Sequence, residues 1–267
     1  MDMIESKMIN LLCDLKENYH VCSIKSEFET EGATLEEVVY LKNLVSDLGI
    51  DLTLKIGGCE AVRDMRDAKN IGVNALVAPM IESAYALKKF SRAIKNVFSE
   101  EEQKNIKFYI NIETKCGFDN VDEILSSKDA DIISGVVLGR TDLIGSLVLS
   151  QAEVNSQKIY EYAEQLALKT LKCGKEFIVG GGVTSNSFPF FKKLSFFSKI
   201  ETQKVIFSSD ILNAKEPEKA LLKAFEFELM WIKNKKNLFG KLTDEDVKRI
   251  KILEARYNES VPKSVVL

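Results

Sequence analysis

Two stretches decide the fold: "KFYINIETKCGFDN", residues 107–120, and "ISGVVLGRTDLIGS", residues 133–146. Each runs apolar for about a strand's length and then delivers a carboxylate, Glu113 in the first and Asp142 in the second. Short apolar runs of the same kind recur at 20–28, 52–58, 75–81, 176–182 and 204–210. Between them lie stretches with helical periodicity, such as "TLEEVVYLKNLVSDLG" (34–49) and "SQKIYEYAEQLALKTLKCG" (156–174), both ending in glycine, the residue that most readily stops a helix. Thr34 followed three residues later by Glu37 is a capping-box pattern.

Strands that alternate with helices of this length pair in parallel through crossover connections. Runs that are apolar throughout are expected to be buried on both faces. An open doubly wound sheet and a closed (β/α) barrel both satisfy this pattern. The predicted fold class is α/β, a (β/α) TIM-type barrel of parallel strands with outer helices and an extra C-terminal helical segment. Seven repeats without a linker favour the barrel, and no Gly-x-Gly-x-x-Gly or Walker loop follows the first strand. An eighth strand is not evident. It lies either near the N-terminus, inside a segment with helical pattern, or the closure is irregular.

The chain of 267 residues is 45% hydrophobic and 29% charged, a length that (β/α) barrels often reach as one domain. Its expected organisation is a barrel domain over 1–230 and a helical extension over 231–267. The extension contains "TDEDVKRIKILEARY" (243–257), a helix capped by Thr243 that packs on the barrel or on a neighbouring subunit. The formal net charge of −3 and the lack of a basic block argue against nucleic acid as a partner. Five scattered cysteines read as reduced thiols, the N-terminus does not read as a signal peptide, and no apolar run approaches a membrane span. The expectation is a cytoplasmic protein, with no membrane partner, that forms a homo-oligomer.

In a parallel barrel the active site lies at the carboxyl ends of the strands. Those ends offer Glu27, Lys55 with Gly57 and Gly58, Glu113, Arg140 and Thr141 with Asp142, the "GGGVTSNS" loop (180–187), and Ser208 to Asp210. Acids gathered at one rim repel unless a cation sits among them, and two carboxylates with water and substrate oxygens suit a hard divalent ion. A lone acid after a strand is more often a helix cap, and Asp142 also suits that role. The glycine loop reads either as an anion cradle or, preferred here, as a tight strand-to-helix turn. "NSFPFFKKLSFF" (186–197) reads as barrel-to-helix packing.

"INIETKCGFDNVDEI" (110–124), "GVVLGRTDLIGSL" (135–147) and "LVAPMIESAYAL" (76–87), with "LKIGGCEAVRDMRDAKNIG" (54–72), together resemble the HpcH/HpaI aldolase and citrate lyase family. That family shares the phosphoenolpyruvate/pyruvate-binding barrel. The resemblance implies a divalent metal, Mg2+ or Mn2+, held by Glu113 and Asp142, which binds a pyruvate-like unit and stabilises its enolate. It further implies that Glu27, in "SIKSEFETEG" (23–32), orders a metal-bound water. The expected substrate is therefore a small 2-oxo acid and the expected reaction a carbon–carbon lyase or aldolase step.

Two positions depart from the family. Its aldolases carry a histidine base directly after the rim glutamate, where this chain has Phe28, and the only histidine, His20, starts the strand at the opposite end. An arginine of the family is replaced by Lys55, which supplies charge without a two-pronged grip. Lys55 is read as catalytic with Glu27, and Lys55, Gly57, Gly58, Arg140 and Thr141 as substrate-binding. Lys25 and Lys55 both have offsets that point them into the barrel. The base is left open among a metal-bound hydroxide, Lys25 and a substrate group. The alternatives are the same metal barrel acting on a phosphoenol or acyl-thioester substrate, or a non-catalytic scaffold barrel.

Overall fold

The computed structural model describes residues 3–240 and 242–260. Its eight strands close into one barrel in chain order: β1 (Val21–Glu27), β2 (Asp51–Lys55), β3 (Ala75–Ala78), β4 (Lys107–Asn111), β5 (Gly135–Gly139), β6 (Glu176–Gly180), β7 (Lys199–Glu201) and β8 (Val205–Ser208). The first seven run parallel, whereas β8 is antiparallel to both β7 and β1.

The closure is irregular, one of the two possibilities the sequence leaves open. The additional strand is β7, only three residues long, while the N-terminal segment is a helix, Met3–Tyr19. Three residues are too few to carry a periodic signal. The last strand also runs the opposite way, so the Ser208 end sits beside His20, whose carbonyl accepts from the Ser208 amide at 3.0 Å. The strand-end candidates Ser208 to Asp210 therefore lie at the amino mouth. In their place a tight turn, Thr202 to Lys204, stands at the carboxyl mouth, closed by Thr202 Oγ1 accepting from the Val205 amide at 3.0 Å.

Side-chain alternation along the strands separates two environments. Leu52, Leu54, Leu76, Phe108, Ile110, Val136, Leu138, Phe177 and Val179 belong to the large core between barrel and helices. Inside the barrel, Ala75, Val77, Tyr109, Val137 and Ile178 form a small apolar layer of their own. The expectation of apolar faces on both sides is met on β3, β5 and β8, and on β4 up to its last residue, the buried polar Asn111. On β1, β2 and β7 the buried inward residues are polar: Ser23, Lys25, Glu27, Thr53, Lys55 and Glu201.

Thr34 and Glu37 make the reciprocal capping box of the helix Leu35–Ser46, as the sequence predicts. After the barrel a helix Pro217–Phe239 runs unbroken through position 231, where buried Trp231 stacks on Tyr40 with ring centroids 5.7 Å apart. Gly240, at φ 82°, ends it. The helix Asp244–Ser260 then folds back along it, capped by Thr243, and is held by Lys235–Asp246 at 3.1 Å, Lys233–Glu254 at 2.9 Å and a two-pronged Arg249–Glu228 pair. The extension thus packs on its own chain; residues 261–267 of it lie outside the described residues. Among the described residues no helix is long and apolar enough to cross a membrane, and all five cysteines are free thiols.

Candidate active site

A cavity of about 310 Å³ opens at the carboxyl mouth of the barrel. Two lysine–carboxylate groups organise it, and a third stands beside it. Lys55, from the end of β2, places Nζ 2.7 Å from Glu29 and 3.8 Å from Glu113. Lys25, inside β1, lies between Glu27 at 2.8 Å and Glu201 at 2.9 Å. At the rim Lys204 pairs with Glu31, which also accepts from Gln203 Nε2 at 3.3 Å.

Glu113 follows β4 and is buried. Its carboxylate accepts from Asn111 Nδ2 at 2.7 Å and from the Met80 amide at 3.2 Å, with Met80 in the left-handed region at φ 51°. Burial pushes its carboxyl up to about 7; Lys55 offsets part of this, and the charge of nearby Asp142 adds to it. Asp142 is exposed, in the first turn of the helix Arg140–Ser146, and lines the same cavity.

The other groups behave differently. Burial opposes charge on Lys25, but Glu201 and Glu27 outweigh it and hold the ammonium well above its ordinary range. Burial also opposes charge on Glu27, yet Lys25, Lys55 and Lys204 together keep its carboxyl below the usual value. Lys55 loses to burial less than it gains from Glu113, Glu27 and Glu29, and is raised.

Two glycines make room for these acids. A Cβ on Gly139, at the end of β5, would collide with the Glu113 side chain, and one on Gly180, at the end of β6, would collide with Glu201. Gly181 and Gly182, at φ 78° and 62°, line the cavity, so the glycine loop is both the expected tight turn and a wall of the site.

Of the residues singled out from the sequence, Glu27, Lys55, Glu113, Thr141 and Asp142 converge on the cavity. Gly57 and Gly58 lie outside its lining, and the Gly57 amide is taken by Asp64 at 2.7 Å. Arg140 is also placed elsewhere: it is fully buried behind the rim. Its guanidinium donates to the Gly180 carbonyl at 3.1 Å, the Val154 carbonyl at 3.3 Å and Asn155 Oδ1 at 2.8 Å, and lies over Phe190 at 4.7 Å. Its role is to fasten the glycine loop, with the phenylalanine cluster as its packing partner.

Asn111, Glu201, Gln203 and Arg249 line the cavity without having been anticipated. Asn111 carried a readable signal, two residues before Glu113 on the same strand face. Glu201 and Gln203 depend on the unrecognised β7–β8 turn.

Residues 54–177 match the family profile of HpcH/HpaI aldolase/citrate lyase. That segment is a little under half of the chain, and over it the chain is similar to this family, from which it has diverged far. Solved structures with the same fold include an HpcH/HpaI aldolase from Desulfitobacterium hafniense DCB-2, 14% identical, with TM-score 0.57 over 71% of this chain and 78% of that one. The citrate synthase SbnG is 13% identical, with TM-score 0.57 over 75% and 82%. An HpcH/HpaI aldolase/citrate lyase family protein from Burkholderia cenocepacia J2315 is 11% identical, with TM-score 0.56 over 82% and 90%. No curated protein gives a significant sequence match.

Among the described residues no group of three or more His, Cys, Asp or Glu side chains is placed to hold a metal ion. The donors at the mouth nonetheless suit a half-open cation site. Four carboxylates line the cavity against three cationic side chains, and one of those cations, Arg249, is committed to Glu228. Asn111 Oδ1 is buried without a partner beside Glu113, and an orphaned buried acceptor of this kind asks for a cation or an ordered water.

Proposed function

We propose that the protein is a divalent-metal-dependent carbon–carbon lyase or aldolase acting on a small 2-oxo acid. The carrying observation is the Glu113–Asp142 pair: a buried carboxylate whose ionisation is opposed by its surroundings, next to a second acid on the neighbouring strand end. Glu113 and Asp142 would hold Mg2+ or Mn2+, with the remaining coordination left to water and substrate. Bound there, the ion would supply a fixed positive charge for the carboxylate and keto oxygens of a pyruvate unit and for the oxyanion formed when a neighbouring C–C bond breaks.

Lys55 contributes a second cation at the same wall, aimed between Glu29 and Glu113, and would neutralise substrate charge. Glu27, buried and paired with Lys25, would stay ionised and order a water at the mouth. Gly181 and Gly182 would let the substrate approach the backbone closely. The likeness to a citrate synthase is compatible with the same enolate chemistry run toward bond formation.

The test is calorimetric titration of oxalate, an enolate mimic, into chelator-treated protein with and without Mg2+. Oxalate binding that requires Mg2+ and is lost in Glu113→Gln/Asp142→Asn supports the reading. Oxalate binding that is indifferent to Mg2+ rejects it and favours a scaffold barrel.

A further inference from the structure

The geometry points to Glu201 as the proton carrier of the reaction, the part for which this chain has no histidine at the mouth. The inference rests on the aldolase reading above. Glu201 is the last residue of β7 and is buried, with its carboxylate crossing Gly180 and its Oε1 held by Lys25 at 2.9 Å.

Its position is unlike that of the other acids. Below the catalytic cavity, inside the barrel, lies a second cavity of about 360 Å³ that opens toward the amino end and is lined by Ser23, Thr53, Tyr109 and Lys199 among others. Glu201 lines both cavities. Polar groups flank the lower one: Ser23 and Thr53 hydroxyls 2.8 Å apart, and Lys199 Nζ 2.9 Å from the Tyr109 hydroxyl. A polar cavity of this size has room for water. Glu201 can therefore exchange a proton with solvent from below while facing substrate above.

The neighbouring candidates are less suited. Lys25 is held as an ammonium between two carboxylates and has no lone pair to offer. Glu27 faces the charges of Lys25, Lys55 and Lys204 together, which weakens it as a base. Glu113 is assigned to the cation. Burying Lys25 and Glu201 in the barrel centre costs more than aliphatic packing would, which is consistent with a chemical use.

In the cleavage direction the Glu201 carboxylate takes the proton of the substrate's 4-hydroxyl. The O–H electron pair forms the aldehyde C=O as the C3–C4 bond breaks, and the C3–C4 pair becomes the pyruvate enolate. The carboxylic acid, in exchange with solvent through the lower cavity, then delivers a proton to C3, giving pyruvate and restoring the carboxylate. No external oxidant or reductant is needed. Lys25 acts as the positioning residue that fixes Oε1.

The experiment follows the pyruvate methyl signal by NMR in D2O with the full chain and Mg2+, since enolisation exchanges those hydrogens without any aldehyde partner. The parent protein is expected to exchange them. Glu201→Gln should slow exchange about 100-fold or more, the range for loss of a general base, with Mg2+-dependent oxalate affinity kept within about threefold. Glu201→Asp should recover part of the rate. Exchange at the parent rate in Glu201→Gln overturns the assignment while leaving the aldolase reading intact. Should that variant fail to fold, Glu201→Asp decides: unaltered exchange overturns the assignment, and slowed exchange with intact oxalate binding supports it. A parent protein that binds oxalate with Mg2+ but never exchanges also overturns it, and one that does neither removes the underlying reading as well.

Discussion

The Glu113 side chain lies directly across Gly139 on the neighbouring strand, so close that a Cβ at 139 would overlap both its carboxylate and its own Cβ. Glycine ends β5 because the acid that follows β4 occupies the space. Gly139→Ala is therefore expected to push Glu113 out of place: Mg2+-dependent oxalate affinity should fall at least about tenfold, with an overpacking cost of about 1–3 kcal/mol in unfolding free energy. Gly145→Ala is the control, since a Cβ there meets nothing within 4 Å. Calorimetry and denaturant melts on the two variants separate crowding of the site from a general effect of alanine.

The burial of Glu113 gives a pH signature. Its carboxyl sits at about 7, raised from an ordinary 4.5 by burial against the counter-effect of Lys55. The native cation-free protein then binds this proton more tightly than the unfolded chain does. Unfolding free energy should accordingly fall as pH rises from about 4.5 to 7 and level off above. A bound cation needs the ionised form, so Mg2+ affinity should drop about tenfold per pH unit below 6 and become flat above 8. Titrations in buffers of different ionisation enthalpy would measure proton release at pH 7. A flat affinity profile between pH 5 and 8, or an unchanged profile in Glu113→Gln, would count against the assignment.

Arg140 sits two residues before Asp142, yet the two serve different purposes. Its guanidinium fastens the Gly180 and Val154 carbonyls and Asn155 from a fully buried position. Arg140→Lys retains the charge but cannot reach three acceptors from one planar group. We expect a stability loss of about 2–4 kcal/mol and oxalate affinity within about threefold of the parent protein. The reverse outcome, full stability with lost affinity, would restore Arg140 as a substrate clamp.

Arg140 also illustrates why only part of the site is legible in the sequence. Strand periodicity places residues 138, 140 and 142 on one face, but the helix begins at Arg140. From there each residue turns about 100°, so Arg140 and Asp142 diverge. Glu113 and Asp142 could be read because each follows a long apolar run in the family's own words. Asn111 follows from Glu113 by alternation. Glu201 could not be read, because β7 is three residues long and its reversal into β8 is hidden within "KIETQKVIF" (199–207). Parallel logic applied to 204–210 places Ser208 at the carboxyl mouth, whereas it lies beside His20 at the amino mouth. Local pattern identifies strands; the direction of a short closing strand depends on pairing contacts distant in the chain.

The C-terminal helix meets the site through Arg249, which lines the cavity while gripping Glu228 through two guanidinium nitrogens, one of them at 2.8 Å from Oε2. The Glu228 side chain is only 1% exposed and that of Arg249 20%. Removing the arginine leaves a buried carboxylate uncompensated, whereas removing both charges relieves it. Arg249→Met should therefore destabilise the protein by about 3–5 kcal/mol, and Arg249→Met/Glu228→Leu by much less or not at all. A double-mutant cycle by denaturant unfolding measures the coupling. Little or no loss in either variant would mean that the helix is held by its apolar contacts, with the ion pair serving the mouth of the cavity instead. In that case oxalate affinity, and not stability, should respond to Arg249→Met.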